Sequence, residues 1–110
     1  MDETPLPDPE AWQRIARPDR RLSIALAELY EYYPAVPGAP LPSQSYVDNA
    51  IHLLATPFQA DQARANVVTG AVRHALAYPT WRSLVQHSGL VHLDAVRLMV
   101  AMVKTAAGDR

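Results

Sequence analysis

The sequence predicts an all-α fold: a compact single domain of five to six helices with a proline-rich extended strap at 34–42. Apolar residues recur at three- and four-residue steps in several segments, which is the period of an amphipathic helix. Proline and the capping residues Ser, Thr and Asp stand where those segments begin or end. No segment of useful length alternates apolar and polar residues, as a half-buried strand does. With 110 residues, the chain has the length of one domain.

Residues 1–7 are predicted to be a disordered tail, because they are acidic, interrupted by proline and carry little to bury. The helical domain is then expected to span 8–110. A first helix, at about 9–17, should begin after Asp8, whose carboxylate can cap it, with Pro9 in the first helical position. We expect this helix to bury Trp12, Ile15 and Ala16.

The second helix should follow Pro18, with Asp19 as its cap, and should run to about Tyr33. Ile24 lies on its charged side, as an apolar exception. Four prolines within 34–42 remove amide donors and fix φ, so this segment is predicted to be extended. The apolar stripe that should face the core consists of Leu22, Ala25, Leu26, Leu29 and Tyr33.

A third helix should be capped by Ser43 or Ser45 and should end at Thr56. Thr56 and Gln59 resemble a capping box, so a fourth helix is predicted from there to Tyr78, where Pro79 stops it. The buried stripe of the third helix is predicted to be Val47, Ala50, Ile51 and Leu54. The fourth helix has a row of small residues that would let another helix approach closely, namely Ala60, Ala63, Val67, Gly70 and Ala71.

Thr80 should cap a short fifth helix that ends at Ser88 and Gly89 in a left-handed turn. The last helix, at about 92–106, carries apolar side chains over an arc of roughly 200°, about twice what a surface helix needs. We assign Val96, Met99 and Val103 to the core. The residues at the edges of the arc, together with one residue of the second helix, are the predicted protein contacts: Leu98, Met102, Val100 and Ile24.

The charge distribution argues against broad binding to phosphate or to anionic lipid. Ten basic and eleven acidic residues give a net charge of −1. Between Tyr32 and Ala60 the only charged residue is Asp48, which suggests that this region packs on the core or contacts a partner. The acidic N-terminal residues do not resemble a signal peptide, and no apolar run is long enough to span a membrane. A cytoplasmic location is therefore expected, and the use of nine arginines and one lysine suggests a bacterial source.

The sequence contains no pattern that predicts an enzyme. The absence of cysteine excludes disulfides, thiolate zinc sites and a cysteine nucleophile. His87 and His92 are five residues apart, which does not place two imidazoles on one helix face for a metal. We therefore assign no catalytic, cofactor-binding or metal-binding residue and expect a protein without enzymatic activity.

Three side chains are candidates for a ligand site. His74 shares a helix side with the small residues and could bind a ligand or respond to pH, although histidine at such a position is more often part of the core. Tyr30 and Tyr32 could line a groove between the second helix and the strap. The alternative is that both rings pack beneath the prolines.

The leading hypothesis is a small regulatory or adaptor protein that binds another protein, for example a transcriptional regulator, and that forms a homodimer. The alternative is a DNA-binding regulator with a helix-turn-helix at about 80–104. Its DNA contacts would be Arg82, His92, Arg97 and Lys104. Asp94 and apolar residues stand where that motif would contact bases and phosphates, and this weakens the alternative.

Overall fold

The computed structural model describes residues 6–36, 43–58 and 60–108, and every regular element in these ranges is helical. This confirms the predicted all-α fold. The elements are α1 (Pro9–Trp12), α2 (Pro18–Ala35), α3 (Gln44–Ala55), a 3₁₀ turn (Thr56–Phe58), α4 (Gln62–Leu76), α5 (Tyr78–Trp81), a π-helical segment (Arg82–His87) and α6 (His92–Ala106).

The core lies where α6 packs against both α2 and α4, while α3 covers the other side of α4. The predicted stripe of α2 is fully buried, and so are the predicted core residues Val96 and Val103 of α6. Met99 is 6% exposed and also belongs to this core. The core is therefore built from the three- and four-residue periods that the sequence shows.

Two arginine side chains donate hydrogen bonds to backbone carbonyls at the ends of other helices or in a turn. Arg21 of α2 donates from Nε to the carbonyl of Ile15 and from Nη1 to the carbonyl of Leu53 in the last turn of α3, both at 2.9 Å, and from Nη2 to that of Gln13 at 3.2 Å. Arg64 of α4 donates to the carbonyls of Ala106, at 2.8 Å, and of Thr105, at 3.1 Å. Each guanidinium thus adds charged donors to carbonyls at a helix end or in a turn, and the Thr105 carbonyl also accepts from the amide of Gly108.

Two buried tyrosines of α2 donate hydrogen bonds to carbonyls at the C-terminal end of α4. The hydroxyl of Tyr30 donates to the carbonyl of Ala75, and that of Tyr33 donates to the carbonyl of Leu76. Burial raises the pKa of both phenols above the usual range. Both hydroxyls are therefore protonated donors at neutral pH.

Several predicted boundaries near the N-terminus are wrong. Pro7 is buried and its carbonyl accepts a 2.6 Å hydrogen bond from Tyr46, whereas residues 1–5 of the predicted tail lie outside the described residues. The helix expected at 9–17 ends at Trp12, and Ala16 is exposed, because the chain turns to present carbonyls to Arg21. The cap of α2 is Arg17, with Asp19 in the first turn.

The strap prediction is wrong at its start. Pro34 and Ala35 belong to α2, because a proline in the last turn removes only one amide donor from the helix. Residues 37–42 of the strap lie outside the described residues. Ser43 proves to be the cap of α3, accepting from the amide of Tyr46 at 3.1 Å.

The fourth helix starts later and ends earlier than predicted. Thr56 and the two residues after it form the 3₁₀ turn, and the cap of α4 is Asp61, whose carboxylate accepts from the amide of Arg64 at 3.0 Å. Thr80 does not cap α5 but lies inside it, almost buried, while extended Ala77 precedes the helix. Gly89 has the predicted left-handed conformation, with φ of 74°.

Candidate protein-binding face

Among the described residues, four large apolar side chains are exposed: Val67, Val91, Leu93 and Leu98. Val91 and Leu93 lie at the start of α6. Val67 and Leu98 are 52% and 48% exposed and lie on the neighbouring helices α4 and α6. An apolar surface shared by two helices is a candidate for binding another protein.

On α4, one row of residues faces solvent at steps of four, three and four. It contains Ala63, Val67, Gly70 and His74, all of them exposed. The small-residue row was predicted to let another helix approach closely, and within the described residues its first three helical members face solvent rather than a helix of this chain. The core instead takes Val68, Val72, Ala75 and Leu76, which bury more apolar area at the same period.

On α6, a second exposed row has the same spacing. It contains Asp94, Leu98, Ala101 and Thr105. Met102 is half-buried and lies between this row and the core. Leu98, at the edge of the apolar arc of α6, is therefore exposed to solvent, whereas the residues of the same helix that were predicted to lie in the core are buried.

The antiparallel packing of α4 and α6 brings the two rows together. Arg64 binds the last turn of α6 at one end, and His74 and Met99 line one cavity at the other end. Because both helices rise by about 1.5 Å per residue, Val67 lies at the level of Met102, and Gly70 lies close to the level of Leu98. We call these two rows the α4/α6 face.

The remaining sides of these helices face other elements. Thr69 of α4 shares a cavity with Ile51 of α3, and Val100 of α6 shares one of about 410 Å³ with Ile24 of α2. Val100 and Ile24 are half-buried and lie on the α2 side of α6. The four predicted contact residues therefore do not form one surface: Leu98 and Met102 belong to the α4/α6 side, and the other two do not.

The predicted ligand-site residues are not brought together. Tyr30 is 1% exposed and bonded to Ala75, so it does not line an open groove. Tyr32 is half-buried and packs edge-on against Tyr33, with ring centroids 6.3 Å apart. Residues 37–42 of the strap, which would complete this groove, lie outside the described residues.

His74 is exposed and is not a core histidine. Its Nδ1 lies 3.3 Å from Oγ1 of Thr80, and both residues line a cavity of about 270 Å³ together with Leu84 and Met99. Within the described ranges, no three His, Asp or Glu side chains lie close enough together to hold a metal ion.

The predicted DNA contacts are spread along the π-helical segment and α6: Arg82 and His92 begin these two elements, Arg97 lies in the second turn of α6, and Lys104 lies in its last turn. Arg82, His92 and Arg97 are exposed, whereas Lys104 is half-buried. Burial alone would raise the pKa of Asp19, but hydrogen bonds from Arg17 and from the Arg20 amide, with the charges of Arg17 and Lys104, lower it instead. The positive charge of Lys104 therefore acts on an acid of this chain.

No helix within the described part of the chain is both long and apolar enough to cross a membrane. Comparison of the chain with protein-family models, with curated proteins and with solved structures gave no match.

Proposed function

We propose that this chain is a small regulatory or adaptor protein without enzymatic activity, and that it binds another protein through the α4/α6 face. The observation that supports this most directly is the exposure of Val67 and Leu98 on one surface formed by two packed helices. Of the eight residues in the two rows, Asp94 is the only Asp, Glu, Lys or Arg. Depletion of charge at the centre of an exposed apolar surface is typical of protein interfaces.

The binding role can be tested with Leu98→Asp, which places a charge at the centre of the face. The matched control is Leu93→Asp, because Leu93 lies on the same helix, is 51% exposed and lies outside the two rows. In affinity capture from cells that express the protein, a partner should be recovered with the wild type and with Leu93→Asp, and should be lost with Leu98→Asp. Equal recovery with both variants would contradict the assignment of this face.

DNA binding is the second candidate, and the helix–turn–helix connection at 78–106 supports it. Gly89 forms the turn, and Arg97 is exposed on the second helix. Under this hypothesis, the affinity for duplex DNA should fall steeply with salt, and Arg97→Ala should reduce it by about tenfold. The absence of binding to duplex at low salt would reject the DNA hypothesis and would leave the protein-binding proposal unchanged.

A further inference from the structure

We infer that the groove between α3 and α4 binds a small zwitterion, namely a free α-amino acid with an apolar side chain. This groove lies outside the two rows of the α4/α6 face, so the inference goes beyond the proposed function and does not depend on it. It follows from two opposite charges that line one cavity without pairing, and from a second, apolar cavity that adjoins the first.

The first cavity, of about 210 Å³, is lined by an acid of α3 and a base of α4, Asp48 and Arg73. Within residues 6–36, 43–58 and 60–108, the guanidinium of Arg73 has no hydrogen-bonding or ion-pair partner. The carboxylate of Asp48 accepts only from the neutral side-chain amide of Gln44, at 2.9 Å. The two opposite charges therefore line the same space and do not neutralise each other.

A ligand that carries one positive and one negative group matches both charges at once. In an α-amino acid the ammonium nitrogen and the carboxyl carbon are about 2.5 Å apart, and a charge-assisted hydrogen bond adds about 2.8 Å on each side. Such a head group joins a guanidinium and a carboxylate about 8 Å apart, which are too far from each other to pair directly. Arg73 then binds the ligand carboxylate and Asp48 binds the ammonium group. A simple anion or cation would instead be repelled by one of the two side chains.

Neutral polar groups line the same cavity. Oγ1 of Thr56 lies 3.4 Å from Nδ1 of His52, and Thr69 is half-buried on the opposite helix. Buried Ile51 and half-buried Ala55 complete the lining with apolar surface. A few polar groups around an apolar surface are typical of small-molecule sites, where they fix the orientation of the ligand.

The adjoining cavity explains why the ligand should have an apolar side chain. It has a volume of about 400 Å³ and shares Ala55, Thr56 and Thr69 with the first cavity. Among the described residues, the rest of its lining is uncharged and apolar: Ala60, Ala65 and Val68. A side chain attached to a head group in the first cavity can therefore extend along the groove and bury apolar surface in the second.

Titration of the ¹⁵N-labelled full chain with L-leucine, followed by NMR, tests the site. The amide signals of Asp48, Thr69 and Arg73 should shift with a dissociation constant near 1 mM, roughly what two ion pairs on exposed side chains allow. 4-Methylpentanoate lacks the ammonium group and 3-methylbutylamine lacks the carboxylate, so each should bind about tenfold more weakly. No shift of these signals at about 20 mM leucine, or an analogue that binds as tightly as leucine, would overturn the inference.

Two charge-removing variants test the assigned residues. Arg73→Gln and Asp48→Asn should each raise the dissociation constant for leucine by about tenfold. The matched controls are Arg14→Gln and Asp94→Asn, which make the same changes at exposed residues outside the groove and should bind leucine as the wild type does. Circular dichroism should show the same helix content in all four variants. Equal affinity in the groove variants and their controls would overturn the assignment of both charges.

Ala65→Leu tests the apolar cavity, because it fills part of that cavity without changing a charge. The wild type should bind leucine about tenfold more tightly than glycine, which has no side chain to bury. The variant should lose most of this preference while its affinity for glycine stays the same. An unchanged preference for leucine in Ala65→Leu, or equal binding of leucine and glycine by the wild type, would overturn the assignment of the ligand side chain to this cavity.

Discussion

Replacing Tyr33 with alanine is expected to lower the free energy of unfolding by about 4 kcal/mol. The side chain is fully buried. Its ring packs against Tyr78 and Trp81, with centroids 5.4 and 6.0 Å away, and its hydroxyl bonds to the carbonyl of Leu76. The variant therefore loses ring packing and leaves a carbonyl at the end of α4 without its donor.

Tyr33→Phe separates the two contributions, because it keeps the ring and removes only the hydroxyl. We expect a loss of about 1–2 kcal/mol for this variant. Both should be measured by urea denaturation at one fixed protein concentration, since association would contribute to the apparent stability. If the two variants were equally stable, ring packing at this position would contribute little and the prediction would be wrong.

Arg21→Met is expected to destabilise the fold by about 3 kcal/mol, although an arginine in a charged segment would ordinarily be replaceable. Its guanidinium donates to three carbonyls, of which that of Leu53 belongs to α3 and those of Gln13 and Ile15 to the turn after α1. Methionine retains most of the side-chain length but none of the donors, so the three carbonyls lose a charged partner.

The adjacent Arg20 provides the matched control. It is exposed, and Arg20→Met makes the same chemical change one residue away. This variant should alter the free energy of unfolding by less than about 0.5 kcal/mol. Thermal denaturation of the two variants side by side is sufficient, and similar melting temperatures would show that the three carbonyl contacts of Arg21 do not contribute as proposed.

The helical core was predictable because it depends on local periodicity. Leu22, Leu26 and Leu29 are three and four residues apart, and that spacing places them on one face whatever the rest of the chain does. The start of α4 was not predictable in the same way. Thr56 and Asp61 both carry a capping signal, and the choice between them depends on a 3₁₀ turn that neither residue specifies.

The sequence did not predict the side-chain hydrogen bonds to the helix ends, because these bonds join distant parts of the chain. Tyr30 and Ala75 are 45 residues apart, and Arg64 and Ala106 are 42 apart, so no local pattern connects them. One signal was present: α4 ends at Leu76 and Ala77 without a glycine to turn its last carbonyls. A buried tyrosine in another helix is a suitable donor for such carbonyls.

The candidate face was predicted only in part. Leu98 follows from the excess apolar arc of α6, which can be seen in the sequence. The exposure of Val67 on α4 could not be predicted, because the sequence shows which residues share a side of α4 but not which side turns inward. That choice depends on how α4 packs between α3 and α6.

Side-chain hydrogen bonds from one helix to the last carbonyls of another affect how the molecule unfolds. The end of α4 depends on α2, the end of α6 depends on α4, and the last turn of α3 depends on α2. None of these three ends can fray without breaking a bond to a second helix, but only the tyrosine donors at the end of α4 are buried, whereas Arg64 at the end of α6 is exposed. Amide hydrogen exchange should therefore be slower in the last turn of α4 than in the last turn of α6.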